Sequence, residues 1–220
     1  MTDTTTRHAE SSDGTRISYR CEGSGPPVVI ATGALATAAA GAPLAAALAA
    51  TGLQGVTFDR RGRGDSGDTA PYEPAREVED LGAVIDAVGG VAGVFGHSSG
   101  AVLALLAASL GVPVTRLFLS EPPLRFGQDE PADDLPDRLQ ALVDRGAKDE
   151  AVVLFLRENV GLPDPAIEGI RASDEFDGLA ALAQTTVYGT RLVAAVSTPT
   201  ASMTGVGAPT TILRGEPTMP

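Results

Sequence analysis

Histidine is scarce in this chain: His8 and His97 are the only two in 220 residues. Any chemistry that needs an imidazole base has just these two places to look. Lysine is represented by Lys148 alone and cysteine by Cys21 alone. A single thiol cannot close a bridge within the chain, so no oxidising compartment is implied, and Cys21 reads as a buried bystander. There is no Walker pattern and no ordered cluster of His, Cys and Asp, so no metal, nucleotide or other cofactor is expected. Positive charge is also short. A net charge of -12 argues against nucleic acid or an anionic membrane as partner. The first fourteen residues have no apolar core of the kind a signal peptide carries. Residues 26–54 are free of charge, but they are mostly Ala, Gly, Thr and Pro and are broken at Gly33, Gly41 and Pro43, unlike a spanning helix. The cytoplasm is the expected location. The length suits one domain, or a core with a small excursion.

What the sequence does have is organised around Val91–Gly111. An apolar run enters Gly96-His97-Ser98-Ser99-Gly100, and a second apolar run of helical character leaves it. Gly-x-Ser-x-Gly between a strand and a helix is the pattern of a nucleophile elbow, in which the serine sits on a strained turn and the glycines leave room where a Cβ would clash. The rest of the first half alternates strand and helix. Arg7–Glu10 and Thr15–Cys21 read as a hairpin, and Val28–Ala31 and Gly55–Phe58 as buried strands. Pro43–Ala50 reads as a helix. Arg76–Val88 reads as another, with Val78, Leu81, Ile85 and Val88 on one face and its acids elsewhere. Val114–Leu119 follows the elbow helix. Such alternation predicts an α/β fold with a mainly parallel sheet and helices on both faces, whose ligands bind beyond the carboxyl ends of the strands.

Between Leu124 and Thr190 the rhythm becomes helical: Asp134–Arg145, Lys148–Asn159 and Glu175–Tyr188. These are read equally as core packing and as a helical cap over the crevice. The expected division is 1–123 as the first part of a core, 124–190 as cap or lid, and 191–220 as the return to the sheet through Val206–Arg214. The glycines at 62, 64 and 67 superficially match a dinucleotide loop, but Pro71 interrupts the helix such a loop requires. Asp59, Arg60, Arg61 and Arg63 in that turn read as internal salt-bridge scaffolding rather than an anion site.

Taken in order, these motifs resemble the α/β-hydrolase family. They are the apolar strand ending Thr32-Gly33-Ala34, the turn from Phe58 to Ser66, the Gly96–Gly100 elbow and the Pro209–Gly215 segment. The resemblance spans about Ile17 to Gly215. It implies a serine hydrolase in which Ser98 attacks a small uncharged ester or related acyl substrate through an acyl-enzyme, without a cofactor. The oxyanion is then held by the backbone N–H groups of Ser99 and Ala34. Thr32 stands where many relatives carry histidine, which leaves a backbone donor intact. For the acid, the usual position near Thr218 or Glu216 fits poorly. Glu121, after the strand that ends at Ser120, is the candidate.

The resemblance also implies a histidine base on a later loop. His97 is expected to pack behind the nucleophile, and His8 precedes the first strand, so no base histidine is identified. The chain therefore reads as a carboxy-terminally incomplete hydrolase with impaired catalysis. The Thr210–Leu213 strand is expected to become an exposed sheet edge through which copies self-associate. The alternative reading is a catalytically inactive, hydrolase-like binding or oligomerising protein.

Overall fold

The structure, a computed structural model, describes residues 5–215. Glu216 and Thr218 lie outside the described residues. Among the described residues seven strands form one sheet in the order β1-β2-β4-β3-β5-β6-β7. Their ranges are β1 Arg7–Glu10, β2 Arg16–Glu22, β3 Pro27–Ala31, β4 Gln54–Phe58, β5 Ala92–His97, β6 Val114–Ser120 and β7 Thr210–Leu213. β1 and β2 form the expected hairpin, β2 also runs antiparallel to β4, and all other pairings are parallel. Val29, Val56 and Val94 on the three central strands are inaccessible to solvent. A strand covered on both faces must be apolar throughout, which is why β3 reads Pro-Val-Val-Ile-Ala with no alternation.

The chain leaves β3 towards β4 on one side and returns to β5 on the other. The loops after β3 and β5 thus diverge from neighbouring strand ends, and a crevice opens between them. This topology puts residues 32–37 beside residues 97–99.

Helices α1 (Ala42–Ala50), α2 (Pro74–Ala87) and α3 (Ser99–Ser109) flank the sheet. α3 is apolar on every face and correspondingly buried, with Ala101, Leu103, Ala104 and Ala107 all inaccessible. α2 departs from expectation. Val78, Leu81 and Ile85 pack as read, joined by Val84, while Val88 is only half-buried just past the helix; Glu77 and Asp80 are buried too, each 1% exposed. Carboxylates enter a core only with partners, and the arginines after β4 supply them.

The second half carries α4 (Leu135–Asp144), α5 (Lys148–Leu154), continued by a π-helical turn at Phe155–Val160, α6 (Asp164–Arg171), α7 (Phe176–Ala181), α8 (Gln184–Ala195) and the short α9 (Ala201–Thr204). Glu175–Tyr188, read as one helix, is two, because α7 ends at Ala181 and α8 begins at Gln184. Helix α6 was not foreseen; Pro163, Pro165 and Gly169 disguise its single buried apolar residue, Ile167. These helices have a core of their own, built on Leu135, Leu139, Val152, Phe155, Ile167 and Val187. α8 belongs to both cores: Val187 and Tyr188 pack among the helices, and Leu192 and Val193 pack against the sheet layer. The division read at 190/191 therefore falls inside a continuous helix. Cys21 is buried in β2. Among the described residues no helix is long and apolar enough to cross a membrane.

Candidate active site

Ser98 occupies the turn between β5 and α3 with φ 52° and ψ -125°. A non-glycine residue at positive φ is strained. Here the surroundings over-determine it. The Ser98 N–H donates to the Ser120 carbonyl at 2.9 Å, and its own carbonyl accepts from Ala101 at 2.9 Å to start the helix. Two glycines make the turn feasible. A Cβ on Gly96 would stand 2.4 Å from the Gly100 carbonyl, and one on Gly100 would stand 2.1 Å from the carbonyl of Ala31.

The loop after β3 lies against this turn. A Cβ on Gly33 would come 3.2 Å from the Ser98 Cβ. Ala34 is half-buried beside it, and Ser99 is the first residue of α3. Backbone amides in the first turn of a helix have no intrahelical acceptor, so Ser99 offers a donor at this point. Gly33, Ala34, Ser98, Ser99 and Glu121 all border one cavity of about 530 Å³. The opposite wall comes from the helical half and is mostly apolar, through Phe155, Leu156, Val160, Ile170, Leu179 and Val193, with Arg125 and Asn159 as its polar members.

Glu121 is exposed and held at φ 48°. Its N–H donates to the Leu213 carbonyl at 2.8 Å, and its Oε1 accepts from the Gly215 N–H at 3.3 Å. The carboxylate is thus tied to the segment leaving β7 while it borders the cavity.

The histidines are placed differently from each other. His8 is exposed on β1, at the sheet edge four strand positions from β5, about 19 Å away at ordinary strand spacing. His97 does not pack behind Ser98 as the sequence suggests. It is exposed, borders the same cavity, and its Nδ1 lies 3.3 Å from the Ser120 hydroxyl. The reason is local: His97 sits on the last rung of β5, opposite Ser120, where the strand end meets the cavity.

Beneath the cavity lies a buried charge network. Arg60 makes a two-pronged pair with Glu77, Nη2 donating to Oε1 at 2.8 Å and Nε to Oε2, with both side chains 1% exposed. Its Nη1 donates to the Thr32 carbonyl at 2.9 Å and to the Ser99 hydroxyl at 3.0 Å. One guanidinium thereby fastens the β3 loop to the start of α3. Burial works against both charges of the pair, but their mutual attraction outweighs it: Glu77 is held below, and Arg60 above, its ordinary value. Tyr72 donates to Glu77 at 2.7 Å and stacks on Tyr188 at a centroid distance of 4.0 Å. Arg61 pairs two-pronged with Asp80, at 2.7 Å for each bond, and reaches Asp13 at 3.0 Å. Asp59 accepts from the N–H of Ala38 at 2.7 Å and of Asp65 at 3.0 Å. Arg63 donates from Nη1 to the Gly33 carbonyl at 2.8 Å. Burial, and then the charge of Arg60, push it down to about 9, so it stays protonated at neutral pH.

The scaffolding role read for these residues therefore stands, and it reaches further than the sequence suggests, into the two loops that flank Ser98. Two further contributors went unread. The Thr185 hydroxyl accepts from the Leu35 N–H at 3.3 Å, and Gly189 allows α8 to approach, since a Cβ there would stand 3.0 Å from that of Ala34. A lone glycine inside a helical pattern was the available signal for the second.

A family model described as "Alpha/beta hydrolase family" matches residues 28–217. Among solved structures, an alpha/beta hydrolase from Sphaerobacter thermophilus shares 45% identity at a TM-score of 0.90, covering 95% of this chain and 82% of that one. A hydrolase from Pseudomonas aeruginosa shares 21% identity at 0.72, covering 97% and 81%. An esterase from Exiguobacterium antarcticum shares 20% at 0.65, covering 96% and 91%. The last two likenesses concern the fold alone. Among proteins with curated descriptions, none matches this chain.

Proposed function

Because this chain belongs to the α/β-hydrolase family, we propose that it is a serine hydrolase acting on a small uncharged ester or related acyl compound through an acyl-enzyme. Ser98 is the nucleophile of a nucleophile elbow, the N–H groups of Ser99 and Ala34 take the oxyanion, and Glu121 is the acid. The observation that carries the reading is the strained φ of 52° at Ser98, held on a strand-to-helix turn that borders the cavity. Strain of this kind persists where neighbouring structure enforces it. The mostly apolar far wall favours an uncharged acyl or alcohol group, and about 530 Å³ admits a small one. Residues 124–190 act as the lid, between the core of residues 1–123 and the return at 191–220, with α8 running across the second boundary, and the protein works on a small-molecule substrate in the cytoplasm.

Neither histidine of these 220 residues is assigned as the base. Turnover by them is accordingly impaired, by about 10⁴- to 10⁶-fold relative to an intact triad. The reading is tested by intact-mass and peptide mass spectrometry after treatment with a fluorophosphonate. One adduct, on the peptide containing Ser98, is expected, slowed by a comparable factor and therefore followed over days at large probe excess. An adduct elsewhere, or none in folded protein, rejects Ser98 as nucleophile.

A second reading rests on β7. Ile212 and Leu213 there are 64% and 45% exposed, and β7 has no neighbour on its outer side among the described residues. Such an edge pairs with a second copy of itself. Sedimentation of the 220-residue chain then gives a dimer that Ile212→Lys dissociates, and a monomer at all concentrations excludes this pairing.

A further inference from the structure

Arg63 is the one arginine of its turn that makes no hydrogen bond to a carboxylate among the described residues. It is 2% exposed, its Nη1 meets the Gly33 carbonyl at 2.8 Å, and its Nε and Nη2 have no partner among the described residues. Arg60 and Arg61, in the same turn, each hold a carboxylate with two bonds. Burying a guanidinium for one hydrogen bond to a carbonyl is a poor way to stabilise a fold, since an apolar side chain of similar volume avoids the desolvation. The contact therefore calls for another account.

The acceptor supplies it. The Gly33 carbonyl and the Ala34 N–H belong to a single peptide unit. That unit is trans, as is every described bond except Ala70–Pro71. In a trans peptide the C=O and N–H point in opposite directions. A cation fixed on the Gly33 oxygen therefore sets the direction of the Ala34 N–H away from Arg63. It also draws electron density through the amide and makes that N–H a stronger donor. The same unit packs on Ser98.

We infer that Arg63 is a positioning residue, which orients and polarises the Gly33–Ala34 peptide so that the Ala34 amide can hold a developing oxyanion. The inference rests on the reading of Ala34 as an oxyanion donor. It is distinct from the role of Arg60, which fastens the neighbouring Thr32 carbonyl and is neutralised by Glu77.

The test is the kinetics of Ser98 phosphonylation, separated into the probe's binding constant and its limiting rate, in Arg63→Met and Arg63→Gln. Donors to an oxyanion act on the charged transition state more than on the bound ester. The limiting rate is expected to fall roughly 10- to 100-fold in Arg63→Met and by a smaller factor in Arg63→Gln, which keeps a neutral donor. Binding is expected to stay within about twofold and the melting temperature unchanged or higher, because an unpaired buried charge is gone. An unchanged limiting rate in either folded variant overturns the inference while leaving Ser98 as nucleophile. A loss shared equally by binding, rate and melting temperature also overturns it, in favour of a structural role. Failure of the unsubstituted protein to label at Ser98 removes the underlying reading, and this one with it.

Discussion

Gly100→Ala is expected to lower the melting temperature by about 6 °C or more and to abolish modification of Ser98. The added Cβ would lie 2.1 Å from the Ala31 carbonyl oxygen and 2.6 Å from that of Thr32. Both obstacles are backbone. Ala31 is pinned within the sheet by its pairing with Gly96, and the Thr32 carbonyl is held by Arg60. Neither can rotate aside as a side chain would, so α3 must move off the strand ends. Overpacking against a core that can relax costs about 1–3 kcal/mol, and this one relaxes poorly, which puts the loss at the upper end or beyond. At about 2–4 °C per kcal/mol for a chain of this size, the shift is readily measured by calorimetry. The motion also separates the Ser99 amide from the β3 loop, so reactivity is lost even in molecules that remain folded. A Gly100→Ala protein that melts and labels like the parent contradicts the packing described for this turn.

Glu77→Ala is expected to be as damaging from the opposite direction, by removing a partner rather than adding an obstacle. It leaves Arg60, 1% exposed, as an uncompensated charge. Breaking a buried pair in this way costs about 3–5 kcal/mol, a fall of about 6–20 °C. Arg60 also bridges Thr32 and Ser99, so its displacement reaches the site, and Ser98 labelling slows along with the loss of stability. The effect depends on pH. Burial opposes ionisation of Glu77, but Arg60 holds its folded pKa below the ordinary 4.5. A carboxyl depressed by folding contributes stability that is complete above the unfolded value and is lost as the pH falls through the folded one. The gap in melting temperature between parent and Glu77→Ala is thus widest above about pH 4.5 and narrows on acidification. Asp80, raised by burial despite Arg61, pulls the other way but is common to both proteins. A gap that does not change between pH 7 and pH 3 contradicts the assignment to this ion pair.

The parts of the fold legible in the sequence are those where local pattern and burial agree. β3 and α3 are apolar throughout because they are covered on every face. The glycines around Ser98 announce a turn that no Cβ would allow. What escaped was set by contacts distant in sequence. The acids of α2 look like a solvated face until the arginines after β4 are known to lie beneath them, seventeen residues from Arg60 to Glu77 and nineteen from Arg61 to Asp80. The expectation for His97 came from the family resemblance, which says nothing of how exposed the last residue of β5 is in this chain, where it borders the cavity. The break between α7 and α8 carries no proline or glycine, and residues on both sides of it pack in the same helical core, so the local pattern does not mark it. Arg63 could be foreseen as scaffolding, but its grip on Gly33 could not, because an acceptor that is a main-chain carbonyl leaves no trace in side-chain identity.

The account depends on Ser98 being offered to the cavity between two amide donors. The direct measurement is a crystal structure of the protein carrying a phosphonate on that serine. The phosphonyl oxygen is predicted to lie about 2.7–3.1 Å from the backbone nitrogens of both Ser99 and Ala34, with the Arg63–Gly33 contact intact. A phosphonyl oxygen turned to solvent, or a Gly33–Ala34 peptide with its carbonyl facing the adduct, contradicts it.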